Sequence, residues 1–224
     1  MCSKRIKVLE EIAFPQVEEM LRNITLKGRS DWKPYLDASF SLQTIPPDFI
    51  RPVGNYVVKR NLRFQYLLRE ILMTEYGIDT LHMNRDDSVR IAFNTPNAVE
   101  CLMIPPTVEV SNYDGGLPIM MDGQHRVYGA IVQNIPDISA IIIRNADVSP
   151  YYGHPLKNGW SEVKEYTEVP ESAAKRDFRL TTLPGHPSIH YKLYRDLEPI
   201  GVGRPRTKDE KKLVNKLIKF MEED

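Results

Sequence analysis

Five consecutive residues, Asp122-Gly123-Gln124-His125-Arg126, concentrate the chain's chemical potential. An apolar run, Leu117 to Met121, leads straight into them, and Val127, Ala130 and Ile131 follow at helical spacing. That pattern predicts a strand, a tight turn and a helix that opens with Gln124, His125 and Arg126. The first amides of a helix have no intrahelical acceptor, and the helix dipole adds positive potential there. Together they make an anion site. Gly123 lets a ligand come close to the backbone. Arg126 suits bidentate phosphate binding, and His125 can donate to a phosphate oxygen or titrate near neutral pH. Asp122 can hold a metal ion or take a proton from a substrate hydroxyl. The plain alternative makes Asp122 a helix cap and leaves His125 and Arg126 as surface polar groups.

The elements around this cluster read as follows. The N-terminal stretch, Met1 to Ile12 included, reads as helical. Val17, Met20, Leu21 and Ile24 form an apolar stripe, with Pro15 in that helix's first turn. Ile45 to Pro52 is proline-rich and suits an extended segment and turn. Arg60 to Tyr76 is the clearest helix, with Phe64, Leu67, Leu68, Ile71 and Leu72 on one face and Gly77 as its stop. Strands are expected at Val89–Phe93, Glu100–Ile104 and Thr107–Val110. The last pairs with Leu117–Met121 through the Asn112 to Gly116 turn. Ser139–Ile143 reads as a buried strand. Val148 to Arg206 reads as irregular. A closing helix carries Leu213, Val214, Leu217, Ile218 and Met221 on its apolar face, with a Thr207/Glu210 capping box. The division expected is 1–44 as a helical extension, 45–147 as the core, and 148–224 as a lid-like segment and final helix.

Bulk properties narrow the class. The 224 residues are 42% hydrophobic, and 30 Lys+Arg balance 30 Asp+Glu to a net charge of zero. A non-specific DNA coat is normally more basic, so DNA is a less favoured partner. Cys2 and Cys101 form neither a CxxC pair nor a zinc pattern, which points to a reducing, cytoplasmic setting. No apolar run reaches the ~20 residues of a membrane span, so a soluble protein is expected.

Further residues carry weaker signals. Arg60, Asn61 and Arg63 open the long helix as a second candidate anion site, against ordinary surface arginines. His154, Lys157, Lys175, Arg176, Arg179, His186, His190, Tyr191 and Arg195 read either as a lid over a nucleotide or as a solvated tail. Trp160 reads as a base-stacking group or as a tail anchor. Gly203 to Arg206 resembles a minor-groove hook but reads better as a linker. The lysines of the last helix, with Glu210, Glu222, Glu223 and Asp224, read as a solvated or partner-binding face.

The Asp122 to Arg126 segment resembles the Asp-Gly-x-His-Arg signature of the ParB/sulfiredoxin superfamily. Ile45 to Pro52 resembles that family's early "IPxxxIxP" stretch. Pro106 to Val110 with Asp114-Gly115 resembles its hairpin, and Pro136 to Ile143 its closing strand. The resemblance covers about Ile45 to Arg144. It implies an α+β fold: a small mixed sheet with helices, extended by helices at both ends. Gln124 stands where sulfiredoxin has its catalytic cysteine, which disfavours sulfinic-acid reduction. ParB partition proteins carry a Gly-Glu-Arg-Arg-type box and a DNA-reading domain, and neither is evident here.

Free-serine kinases of this fold have an Asp-Gly-His-His-Arg-type box, matched by Asp122, His125 and Arg126. Their His-Glu pair has no counterpart in Arg51 to Asn55, which leaves Asp48 or Asp122 as the base. A DNA-phosphorothioation branch shares the full Asp-Gly-Gln-His-Arg string. The resemblance therefore implies a nucleotide-dependent phosphotransferase acting on a small hydroxyl compound. ATP or ADP would bind at Gly123, Gln124, His125 and Arg126, Mg²⁺ at Asp122, and Asp122, His125 and Arg126 would be catalytic. The alternative is a nucleotide-binding or DNA-associated module without turnover. Homo-oligomerisation is compatible with either.

Overall fold

A computed structural model describes residues 6–26, 30–94, 99–111, 116–147, 155–170, 195–197, 199–201 and 210–222. In chain order the elements are β1 (Ile6–Ile12), α1 (Phe14–Arg22), β2 (Thr25–Leu26), β3 (Ser39–Ile45), β4 (Tyr56–Val58) and α2 (Lys59–Tyr76). There follow β5 (Ser88–Phe93), β6 (Glu100–Met103), β7 (Thr107–Ser111), β8 (Leu117–Asp122) and α3 (Gln124–Val132). Last come β9 (Ile138–Arg144), β10 (Lys164–Tyr166), β11 (Arg195–Asp196) and α4 (Glu210–Glu222). Short 3₁₀ turns sit at Pro47–Phe49 and Gly159–Glu162. The fold is α+β with small mixed sheets.

The central sheet has the order β3-β9-β7-β8. β9 runs parallel to β7 and antiparallel to β3, and β7 and β8 form the expected antiparallel hairpin. Its turn, residues 112–115, lies outside the described residues. Every residue of β9 from Ile138 to Ile143 is buried, because both faces of the strand are covered. On one face Ile141 and Ile143 pack with Phe14, Val17 and Leu21 of α1. On the other, Ile138, Ala140 and Ile142 pack with Val127 and Ala130 of α3. A second sheet, β1-β5-β6, is covered by α2 and α4, with Phe64, Leu68, Ile91, Phe93 and Leu217 in its core.

The long helix runs as the periodicity predicts and stops at Gly77, whose φ of +73° is left-handed. Ile6–Ile12 departs from the helical reading. It is an edge strand paired antiparallel with β5 and bulged between Val8 and Glu10, with its end residues Ile6 and Ile12 buried. Tertiary pairing overrides the local amphipathic pattern there. The described parts of 148–206 are more ordered than the irregular reading. β10 joins β4 in a parallel pair, and β11 joins β2 in an antiparallel one.

Candidate functional site: a turn between two helix N-termini

β8 ends at Asp122, and the chain reverses through Gly123 into α3. Gly123 has φ +95°, and a Cβ there would lie 2.9 Å from Cβ of Pro106. Glycine is therefore required first by the chain's own geometry: a left-handed backbone pressed against the residue that precedes β7.

Arg126 points inward. Its side chain is 4% exposed, against 15% for Asp122. Nη1 donates to the carbonyl oxygen of Ile104 at 2.6 Å, and Nη2 lies 3.4 Å from Asp122 Oδ2. Burial lowers the guanidinium pKa, and the Asp122 charge opposes that shift. The reading of Arg126 as an outward phosphate clamp meets a buried side chain that ties the start of α3 to the end of β6. The sequence held a signal for this: Arg126 stands one helical turn before buried Ala130, on the same face.

Gln124 and His125 reach across to a neighbouring segment. Gln124 Nε2 donates to the carbonyls of Gly54 and Tyr56, each at 2.9 Å. A Cβ on Gly54 would lie 2.6 Å from Gln124 Oε1, so the two approach as closely as a glycine allows. His125 Nε2 accepts from the backbone N–H of Val58 at 3.2 Å. Val58 is the N-cap residue of α2, an 18-residue helix with no side-chain cap and no acidic residue in its first turn. The N-termini of α2 and α3 are thus stitched together, and two positive dipole ends meet at one place.

β10 borders the junction, with Tyr166 opposite Val58 in the β4–β10 register. Tyr56 and Tyr166 stand edge to face at 6.4 Å. Arg60 Nη1 pairs with Glu168 at 2.8 Å, and Lys59 is exposed. Trp160 is a tail anchor: its Nε1 donates to the Ile50 carbonyl at 2.7 Å, and its ring sits among Ile50, Leu62 and Val163 core groups. Asp48 lies exposed in the 3₁₀ turn. Burial pushes the Cys101 thiol up to about 12, against the pull of Arg126 and Arg90, which makes it a poor nucleophile. Among the described residues no group of three His, Cys, Asp or Glu side chains is placed to hold a metal ion.

One buried polar group escaped the sequence reading. Tyr35, Glu109 of β7 and Arg195 of β11 form a buried cluster, 0%, 4% and 5% exposed. Tyr35 Oη donates to Glu109 Oε2 at 2.6 Å, and Arg195 donates to both carboxylate oxygens at 2.9 and 2.5 Å. Arg195, read as part of a lid over a nucleotide or of a solvated tail, fastens its segment to the central sheet instead. His154, Lys175, Arg176, Arg179, His186, His190, Tyr191 and the Gly203 to Arg206 stretch lie outside the described residues, as does Thr207 of the capping box. Among the described residues no helix is long and apolar enough to cross a membrane.

These elements define an α+β domain organised around a strand–glycine–helix turn. The chain belongs to the ParB CE domain family, whose model matches residues 16–164. That span runs from within α1 to the first residue of β10 and takes in both helix N-termini. No curated protein and no solved structure matches the chain.

Proposed function

We propose that this ParB CE domain binds an adenine or cytosine nucleotide, with the phosphates on the first-turn amides of α3 beside the start of α2. The observation that carries this reading is the 3.2 Å hydrogen bond between His125 Nε2 and the Val58 N–H. It brings together two helix N-termini, each equivalent to about half a positive charge. Main-chain N–H groups would hold the phosphates. Gln124, His125 and Arg126 would act by fixing that backbone in place. The test is amide chemical-shift mapping on the ¹⁵N-labelled full chain titrated with ATP, ADP and CTP in the presence of Mg²⁺. The reading expects the largest shifts at Gly123 to Arg126 and at 58–60. A folded protein with no response to any of the three, or with shifts confined elsewhere, overturns it.

A second reading adds turnover: phosphoryl transfer from ATP or ADP to a small hydroxyl compound. Asp122 favours it, because its carboxylate stays partly exposed at the end of β8, beside those amides. Mg²⁺ commonly needs only one or two carboxylates beyond the phosphates themselves, so Asp122 suffices as its protein ligand. The acceptor oxygen would bond to the terminal phosphorus as the bond to the nucleotide's bridging oxygen breaks. In the alternative role Asp122 would not hold the metal but would take the hydroxyl proton. Salt-dependent binding to duplex DNA without turnover would favour a DNA-associated module instead.

A further inference from the structure

We propose that β3 is the interface of a two-fold homodimer, in which the outer edges of two copies of this strand pair antiparallel about Leu42. β3 is one edge of the central sheet, and among the described residues it pairs with β9 alone. The opposite edge, β8, is guarded. Arg51 bonds across it, donating to the Pro118 carbonyl and accepting from the Met120 N–H, and Pro118 has no N–H to offer. β3, Ser39–Ile45, has none of the usual protections of an edge strand. It is seven residues long, holds no charge and no proline, and pairs with β9 without a bulge.

The register fixes which groups this edge presents. The Ile141 N–H donates to the Pro106 carbonyl at 2.8 Å, on the β7 side of β9. Leu42 stands opposite Ile141. Opposed residues of an antiparallel pair exchange hydrogen bonds only at alternate positions. Leu42 therefore turns its N–H and C=O away from β9, as do Phe40 and Thr44. Among the described residues no backbone group bonds to them on that side. The open stretch ends there in both directions. Ala38 is next at one end, but its N–H donates to the Tyr35 carbonyl at 3.2 Å and its own carbonyl accepts from Arg22 Nη1 at 2.8 Å. Pro46 is next at the other end. It has no N–H, and its carbonyl accepts from the Phe49 N–H at 3.1 Å.

That pattern selects a second copy of the chain as the occupant. The open groups at Phe40, Leu42 and Thr44 are symmetric about Leu42. A second β3 laid antiparallel, Leu42 on Leu42 and Phe40 on Thr44, satisfies all of them, with two hydrogen bonds at each opposed pair. Ala38 then falls opposite Pro46 of the other copy, where neither residue has a group left to pair. The side chains agree with this register. Phe40 and Leu42 are only partly buried against the core that α1 covers, and the other strand extends their cover. On the other face Ser41 meets Gln43 of the other copy, a hydrogen-bonding combination that the two residues already make within one strand at 2.9 Å. No like charges meet, because the strand carries none, and a net charge of zero sets no long-range repulsion between copies.

Sedimentation of the full chain from low micromolar to near-millimolar concentration tests this, alongside Thr44→Pro. Proline at position 44 removes an outward N–H and leaves the bonds to β9 in place, as edge positions allow. The expected result is a dimer that dissociates on dilution and is weakened about tenfold or more by Thr44→Pro, the scale of the two hydrogen bonds lost. Cross-linking reads the register and does not depend on the proline variant folding. In a Cys2→Ser background, Ser41→Cys and Gln43→Cys chains are prepared separately, then oxidised alone and mixed. Position 41 of one copy faces position 43 of the other at ~4.5 Å between Cα atoms, within disulfide reach. Two copies of position 41, or of position 43, stand about 8 Å apart, beyond it. The mixture should form a disulfide-linked dimer and neither variant alone should. Three results overturn the proposal: a chain monomeric throughout the range; a dimer in which the mixture cross-links no better than either variant alone; or a monomer whose Phe40, Leu42 and Thr44 amides are protected from hydrogen exchange, which assigns the edge to another segment of the same chain.

Discussion

His125 Nε2 accepts the backbone N–H of Val58 at 3.2 Å, so the first turn of α3 caps the first turn of α2. The acceptor role places the ring proton on Nδ1 in the neutral imidazole. Gln124, one residue earlier, holds the carbonyls of Gly54 and Tyr56. Two side chains of one turn therefore fix the whole entry into α2.

Replacing His125 with Ala should cost about 0.5–2 kcal/mol, the usual scale for losing an N-terminal cap. Nucleotide affinity should fall as well, because the α2 N-terminus is no longer held against α3. Urea unfolding gives the first quantity and calorimetry the second. Unchanged stability would mean that water replaces the ring without loss.

Gly123→Ala should destabilise more than Gly77→Ala. Both positions have positive φ, +95° and +73°. A Cβ at Gly77 would meet nothing within 4 Å, whereas one at Gly123 would lie 2.9 Å from Pro106. The left-handed backbone alone costs about 1–2 kcal/mol. Any excess at Gly123 measures the Pro106 contact, and equal unfolding midpoints would show that Pro106 yields freely.

The sequence was most legible where one helix face or one buried strand decides the element. Phe64, Leu68, Ile71 and Leu72 mark α2, and Ile141 to Ile143 mark β9, because burial there follows a simple period. The strand–Gly–helix turn was legible for the same reason. What stayed hidden depends on partners far along the chain. β1 becomes a strand only because β5 offers an edge. Glu109 alternates with inward Val108 and would face solvent on an ordinary hairpin. Here β7 lies between β8 and β9, covered on both faces, and Tyr35 and Arg195 meet Glu109 from segments that nothing local connects.

Arg195→Met should be among the most damaging single changes. It leaves the Glu109 carboxylate buried with Tyr35 as its remaining partner among the described residues, and an uncompensated buried charge costs about 3–5 kcal/mol. Adding Glu109→Gln should recover part of that loss, since a neutral amide oxygen can still accept from Tyr35. Thermal unfolding of the single and double variants checks this. A double variant no more stable than the single would show that packing, and not charge, sets the cost.

Asp79 should contribute a pH-dependent part of stability. Burial alone would raise its pKa, but hydrogen bonds from Arg69, His82 and the Leu81 N–H outweigh it and hold the carboxyl well below the usual 3.8. Above about pH 5 the group is ionised in both folded and unfolded chains, so its contribution is full and constant. As pH falls further, the unfolded chain takes up the proton first and the contribution is lost. Asp79→Asn should therefore lower the urea midpoint near neutral pH, with a gap from wild type that narrows in acid. A gap that does not vary with pH would remove the ionic role.

The Asp122 carboxylate separates binding from turnover. It lies 3.4 Å from a buried arginine and keeps partial exposure beside the α3 amides, so it can serve the fold, the chemistry or both. Asp122→Asn is nearly isosteric and leaves the Arg126 bond to the Ile104 carbonyl available. Some stability should be lost with the ion pair, and unfolding measurements capture that separately. Nucleotide binding should change little, because the main-chain amides remain. Phosphoryl transfer should fall about a hundredfold or more if Asp122 is the base or the metal ligand. The assay is phosphate transfer from ATP and ADP to a panel of small alcohols that includes serine and nucleosides. Nucleotide binding without turnover on any acceptor would leave a binding module. Turnover that survives Asp122→Asn would keep the enzyme and move the base elsewhere, with exposed Asp48 as the next residue to replace.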